Sequence, residues 1–435
     1  MDSGLVKIYS SVDSSRLRYI AGIILGDILG LSWELITDKR KLGKHPVINY
    51  SVDKISCSFK IDPDNILFEK GVCVKEINAG EWKGLPVIFQ SGSDSDIPFD
   101  IFAASFYLVT RYEEYLESEK DIHGRFTAAS SVAFRLGFLN KPIIDLWARE
   151  LAKAFLKRFP NLVFRRNEYQ ALLTVDTDQP FAVLGKSLFR SIGSFFGDKN
   201  GIHERVSDRY RIMTKEERDP YDVFDYIIEN IEKNNIDTRF FFPVGDHSKY
   251  DANPSWKNEE YRQLIHKIAK KFPTGLHPSY IAGGDGSMII TESERLKSIL
   301  GKEIFISRFH YLRLFMPNSY INTLAAGLSE DYSMGYPDEP GFRAGIARPY
   351  FFYNVTEDVL TNLRIIPFQI MDGTLYDYKK LDPISAKDII LNMINITRKA
   401  GGLFVSIWHN TSLIDNDEMR GWRGVFEFMI KNQKP

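Results

Sequence analysis

A chain of 435 residues is longer than one ordinary domain, so about two or three are expected. Hydrophobic residues at 44% and charged residues at 26% match the composition of soluble globular proteins, and a formal net charge of −1 gives no electrostatic reason to expect nucleic acid or an anionic membrane as partner. The two cysteines, Cys57 and Cys73, exclude a disulfide scaffold and fit a reducing compartment.

Residues 1–11 carry neither the basic n-region nor the apolar h-region of a secretory signal. The apolar run 19–31 is too short to cross a bilayer and contains Asp27. Together these features predict a cytoplasmic protein with no transmembrane segment. Residues 1–165 read as a smaller α/β domain of unknown role. Strands are predicted over 6–9 and 31–36, with a buried helix between them capped at Ser14 or Ser15. Alternating stretches over 47–50, 57–61 and 85–90 add further strands. Asp100 opens a helical pattern through Phe106, Tyr107, Arg111, Tyr112 and Glu114. A loop over 121–126 and a helix over 142–158 follow. Asp121, His123 and Arg125 in that loop read as ties to the body of the domain.

From residue 166 onward, helical patterns alternate with short apolar runs, the sign of parallel β/α architecture. The first run, 172–176, ends in Asp176, Thr177, Asp178, Gln179 and Pro180, and the proline cannot donate to a sheet. Helices are predicted over 221–234, 258–271, 319–328, 385–400 and 418–431, and Thr291 with Glu294 forms a capping box for a helix reaching Leu300. Strands are predicted over 238–244, 303–307, 364–370 and 403–407, with 275–278 as another strand end. About six β/α units make an irregular or incomplete (β/α) barrel over 166–435 the economical architecture. An insertion over about 181–220 interrupts the rhythm and reads equally as a lid, a membrane-surface helix or a segment packed on the rim.

Polar residues recur where these strands end. Asp176 and Asp178 close the first, Asp246 and His247 the second, and His277 the third. Arg308 and His310 follow the fourth, and Trp408, His409 and Asn410 the last. A barrel would gather them at one mouth. Side chains at i and i+2 of a strand share a face, and two anions side by side need a shared cation or proton. The plain alternative is an Asx-type turn closing the strand. Aspartate and histidine repeated in one layer favour a metal-assisted hydrolytic site, with zinc or another divalent transition metal as cofactor.

The segment 174–180 (TVDTDQP) resembles the first motif of the polysaccharide deacetylase family, carbohydrate esterase family 4 of the NodB type. Segment 237–245 (DTRFFFPVG) is similar to that family's second strand, 275–278 (GLHP) to the start of its metal-binding motif, and 404–409 (FVSIWH) to its closing strand and histidine. Segments 97–100 and 111–115 resemble the α/β domain that precedes some bacterial members. The resemblance implies a barrel of the deacetylase type that removes an acetyl group, N-acetyl foremost, from a sugar unit of a polysaccharide or its precursor. Asp176 would be the general base and His409 the general acid, with Asp178 and His277 as metal ligands. Arg308 would orient Asp176. Arg343, Trp408, Asn410, Asp246 and His247 would contact a carbohydrate substrate. The family places a second histidine four positions after the first, where this chain has Ile281, and His310 or His247 is expected to take its place. Two other readings remain open: a catalytically inactive carbohydrate-binding or scaffold protein, and a metal-independent glycosidase pairing Asp176 with Asp338 or Glu339.

Overall fold

The computed structural model describes residues 4–184 and 206–435. The chain divides into two compact units. The first comprises Met1–Tyr169, Gly341–Pro367 and Ile396–Leu403, and the second Gln170–Pro340, Phe368–Asn395 and Phe404–Pro435.

In the first unit, strands β1 (Val6–Tyr9), β2 (Trp33–Ile36), β3 (Val47–Asn49) and β4 (Phe59–Lys60) form a parallel sheet in the order β2-β1-β3-β4. Val6, Ile8 and Tyr9 are buried, as parallel strands covered on both faces must be. The helix Ser15–Ala21 starts at Ser14, whose hydroxyl accepts from the Leu17 amide, and Gly22–Ile28 continue it as a π-helix. Gly30 ends this run at a positive φ of 67°, and a Cβ there would lie 2.3 Å from Arg165 Cβ, so only glycine fits. Strands β5 (Ala79–Trp82) and β6 (Leu85–Ile88) make an antiparallel hairpin. The helix Ile101–Val109 is buried throughout and is capped by Asp100 through the amides of Phe102 and Ala103, at 3.0 Å each. The later segments Tyr350–Asn354 and Val359–Ile365 form an antiparallel pair within this unit.

In the second unit, strands β7 (Gln170–Asp176), β8 (Thr238–Phe242), β9 (Thr274–Leu276), β10 (Ile306–Ser307) and β11 (Glu330–Asp331) run in the spatial order β11-β10-β9-β8-β7. The strands Leu403–His409 and Ile370–Met371 extend the sheet beyond β7. The pairs β7–β8, β8–β9, β9–β10 and β10–β11 are all parallel. Helices Phe224–Asn234, Glu259–Ala269, Gly286–Leu300, Asn318–Ala325 and Trp422–Asn432 alternate with the strands, which makes this unit an incomplete (β/α) barrel. Leu172, Leu173, Thr174, Val175 and Asp176 of β7 are all buried, the mark of a central parallel strand. Gly275 lets β9 approach β10 closely, since a Cβ there would fall 2.6 Å from the Ile306 carbonyl oxygen.

Several boundaries differ from the sequence reading. The helix ending at Leu300 begins at Gly286 under an Asp285 cap, so Thr291 and Glu294 lie inside it rather than at its start. The Thr291 hydroxyl instead bonds back to the Ser287 carbonyl at 3.2 Å, the habit of a threonine within a helix. The stretch 364–370 is not one strand. Val359–Ile365 ends in the first unit and Ile370–Met371 begins in the second, with Pro367 between them removing a donor. Only Ile306–Ser307 of the predicted strand 303–307 is paired. Most of the 181–220 insertion lies outside the described residues. Its start is fixed by Asp219, whose carboxylate accepts from the amides of Ala182, Val183 and Leu184 at 2.7–3.0 Å. Among the described residues no helix is long and apolar enough to cross a membrane.

Candidate metal centre

Backbone ladders continuing past the strand ends bring the polar side chains together. The Thr177 amide and hydroxyl both donate to the Phe241 carbonyl, at 3.0 and 2.9 Å, which fixes the turn carrying Asp178. The His277 amide donates to Phe242, the Arg308 amide to Leu276, and the His310 amide to Pro278, each at 3.0 Å. The 308–310 segment thus runs beside 276–278, and His310 is delivered next to His277 with their ring centroids 5.0 Å apart.

Asp178, His277 and His310 each offer one ligand atom, and these atoms lie within 4.8 Å of one another. His277 Nε2 is 3.0 Å from Asp178 Oδ1, and His310 Nε2 is 3.3 Å from Asp178 Oδ2. The Asp178 Oδ1 and His277 Nε2 atoms are both buried and neither has a hydrogen-bond partner, so their short separation is not that of an aligned hydrogen bond. Buried polar atoms are almost always satisfied, and two orphans facing the same point as His310 Nε2 fit a divalent cation bound by one carboxylate and two imidazoles. The Nδ1 atoms are engaged elsewhere: that of His277 bonds the Arg308 carbonyl, and that of His310 lies 2.8 Å from Asp251 Oδ1. Each ring therefore turns Nε2 toward Asp178.

Charge around this cluster is tightly paired. Burial by itself would raise the Asp178 carboxyl, but the imidazoles of His310, His409 and His277 hold it well below the usual carboxylate range. Burial lowers His310, yet Asp178 and Asp251 outweigh it and push the imidazole up to about 9. His409 stands 3.6 Å from Asp178 Oδ2 and 3.9 Å from Asp176 Oδ2. Its Nδ1 is 2.7 Å from Asp372 Oδ1, and its amide donates to Asp372 Oδ2 at 2.7 Å. Burial would lower His409 too, but Asp372 and Asp178 carry it to about 10.

Asp176, 3% exposed, closes the other flank. Arg308 Nη1 is 3.3 Å from its Oδ1, while Arg308 Nε donates to the Tyr332 carbonyl at 3.1 Å. The guanidinium is fully buried, 4.8 Å from the Phe241 ring centroid and 5.8 Å from that of Phe368. Beside this cluster, Tyr250 and Tyr280 stack at 4.1 Å, and Tyr311 meets both edge-on at 5.5 and 5.3 Å. The Tyr311 ring lies 4.7 Å from the His310 ring. Tyr311 and Leu312 are consecutive non-glycine residues at positive φ, 58° and 53°, a conformation costing roughly 1–3 kcal/mol per residue that tends to cluster at working sites.

The structure thus brings Asp176, Asp178, His277, Arg308, His310 and His409 together, and it places the remaining candidates elsewhere. Arg343 is buried in the first unit, where its Nε and Nη2 grip Glu114 at 2.9 and 2.6 Å. Strand alternation turns Trp408 to the face opposite His409, where its ring packs 5.0 Å from Phe426 and its Nε1 donates to Met429 Sδ. Asn410 is buried and donates to the carbonyls of Gln179 and Tyr221 at 2.9 and 3.0 Å, which is a structural tie. Asp246 is exposed and pairs with Arg295 at 2.9 Å. His247 is exposed and outside the ligand cluster. Ile281 is 50% exposed. Glu339 pairs with Lys379 at 2.6 Å. The sequence reading missed Asp251 and Asp372. Asp372 directly follows the strand Ile370–Met371, so the same strand-end reasoning reaches it once that strand is placed correctly.

A family of unknown function (DUF7033) matches residues 6–160. No curated protein sequence matches the chain. Among solved structures, the chain is similar to a protein from Mycobacterium smegmatis named as a polysaccharide deacetylase, at 16% identity and a TM-score of 0.41, over 61% of this chain and 84% of that one. It is similar to the polysaccharide deacetylase of Bacillus cereus at 11% identity and a TM-score of 0.31, over 61% and 87%. A carbohydrate esterase family 4 pseudoenzyme from Bacillus anthracis is similar at 8% identity and a TM-score of 0.31, over 62% of each chain.

Proposed function

We propose that this protein is a metal-dependent deacetylase that removes an acetyl group, N-acetyl foremost, from a sugar unit of a polysaccharide or its precursor. Zinc is the cation proposed for Asp178, His277 and His310. The observation that carries this reading is the orphaned pair Asp178 Oδ1 and His277 Nε2, open toward His310 Nε2 and flanked by Asp176 and His409. The sequence motifs around those residues support the choice of reaction.

A bound divalent ion would supply Lewis acidity and make a water acidic enough to ionise near neutral pH. Asp176, held by the Arg308 guanidinium, accepts the proton from the attacking water. His409, kept charged by Asp372, donates a proton to the departing amine nitrogen. The two groups divide base and acid work because their neighbours differ: an arginine pairs with Asp176, and a carboxylate keeps His409 cationic. The tyrosine wall of Tyr250, Tyr280 and Tyr311 offers apolar ring surface with hydroxyl edges, the chemistry that stacks a pyranose.

The test is metal content of the purified protein beside an Asp178→Ala, His277→Ala double variant, followed by acetate release from N-acetylated oligosaccharides. About one divalent ion per chain, lost in the variant, with acetate released by wild type, is the expected result. No metal uptake after zinc or cobalt is added would overturn this reading, and glycan binding without turnover would then favour a carbohydrate-binding role.

A further inference from the structure

We propose that Asp251 is a positioning residue that makes His310 the metal ligand this chain uses in place of the one absent at Ile281. The inference rests on the metal-centre reading above and extends it to how the site is assembled.

Position 281 cannot serve the site in this backbone. Residues 277–284 are not helical, so a side chain four positions after His277 does not return to the same face. Ile281 points to solvent at 50% exposure, and its carbonyl accepts from the amides of Gly284 and Asp285. The third ligand instead comes from the segment after β10. Its ring orientation depends on Asp251, from the segment after β8.

Asp251 is fully buried and each of its oxygens is committed. Oδ1 takes the Tyr280 amide at 2.8 Å together with His310 Nδ1 at 2.8 Å, and Oδ2 takes the Ser248 hydroxyl at 2.6 Å. The Ser248 amide closes the loop by donating to the Asp251 carbonyl at 3.1 Å. One carboxylate therefore fastens the segment after β8, the segment carrying His277, and the His310 ring. With Nδ1 fixed, only Nε2 of His310 faces Asp178.

Charge balance gives the same answer. Asp176 is matched by Arg308, and His409 by Asp372. Asp178 and Asp251 are left, and two carboxylates offset a divalent cation with both imidazoles neutral. His277 has only a peptide carbonyl behind it, whereas His310 has a carboxylate, the arrangement that makes an imidazole the more basic ligand.

The experiment uses the full chain stripped by a chelator and titrated with cobalt(II) and zinc(II), reading affinity by competition and the cobalt ligand-field spectrum. Wild type is compared with Asp251→Asn, Asp251→Ala, His310→Ala and the Asp251→Ala, His310→Ala double variant. Loss of the carboxylate is expected to weaken metal binding about 10–100-fold, with Asp251→Asn retaining part of the affinity because its amide oxygen still accepts from Nδ1. On the His310→Ala background Asp251→Ala should cost much less than on the wild-type background, a coupling a merely structural role would not produce. Wild-type affinity and spectrum in Asp251→Asn and Asp251→Ala, or in the Asn variant alone where the Ala variant does not fold, overturn this inference and leave the deacetylase reading standing. A wild-type chain that takes up neither metal overturns both.

Discussion

His277 Nε2 stands 3.0 Å from Asp178 Oδ1, buried, and neither atom has a hydrogen-bond partner. An unsatisfied buried donor or acceptor costs about 1–3 kcal/mol, so a fold that presents two of them face to face retains them for something else. A cation between them removes the cost, and the predictions below follow from that relationship.

Replacing Asp178, His277 or His310 by Ala should each weaken zinc affinity by at least about tenfold, because three protein ligands are the minimum of an open catalytic zinc site. Ile281→His should leave affinity unchanged, since that side chain faces solvent. Competitive titration against a chromogenic chelator measures both. Tighter binding in the Ile281→His variant would show that a side chain at 281 does reach the metal.

The metal-free chain should show a distinctive pH dependence. His310 is held at about 9 and His409 at about 10, both above the ordinary 6.5. Their contribution to stability is therefore complete below pH 6.5 and lost as pH rises through 9 to 10. Asp178 is depressed below 3.8, so its contribution is present above that value and lost on further acidification. Thermal melts of the stripped protein should fall from pH 6.5 upward. Zinc uptake at pH 7 should release about one proton, from His310, and calorimetry in buffers of different ionisation enthalpy would count it. A melting temperature flat between pH 6.5 and 9 in the stripped chain would contradict the pairing described here.

If His409 is the general acid, His409→Ala should lower kcat about 10²–10⁴-fold while zinc still binds. Asp372→Asn should shift the alkaline limb of the kcat profile to lower pH, because the carboxylate is what raises His409. A pH profile of acetate release, recorded with metal content in parallel, separates the two effects. An unshifted alkaline limb in Asp372→Asn would remove His409 from the acid role.

Trp408→Ala should act on folding rather than on substrate. The ring is 0% exposed and packs against Phe426, so truncation should cost about 3–5 kcal/mol in denaturant unfolding. A milder Trp408→Phe variant should keep its KM. A raised KM with unchanged stability would restore Trp408 as a substrate contact.

Glu114 bridges two buried guanidiniums in the first unit, those of Arg111 at 2.7 Å and Arg343 at 2.6 Å. Burial alone would raise its carboxyl, but the two arginines hold it below the ordinary value. Glu114→Gln leaves two buried cations with one carboxylate, Glu113, and should destabilise the protein by about 3–5 kcal/mol. Metal affinity measured below the unfolding transition should not change.

The sequence by itself determined the alternation of helices and apolar runs after residue 166, and with it the strand ends where Asp176, Asp178, His277, Arg308, His310 and His409 fall. Those features were legible because a strand end depends on a few neighbouring residues. Trp408, by contrast, was expected to contact substrate, and the structure buries it on the strand face opposite His409. Only the tertiary structure decided which polar residues face one another across distant segments. Asp251 meets His310 across 59 positions, Asp372 meets His409 across 37, and Arg343 meets Glu114 across 229. Such pairs leave no periodic trace, since a carboxylate on one loop and an imidazole on another are brought together by the register of the sheet between them. The same holds for position 281: the family resemblance points to a gap there, and the ladder joining 276–278 to 308–310 sets His310 beside His277.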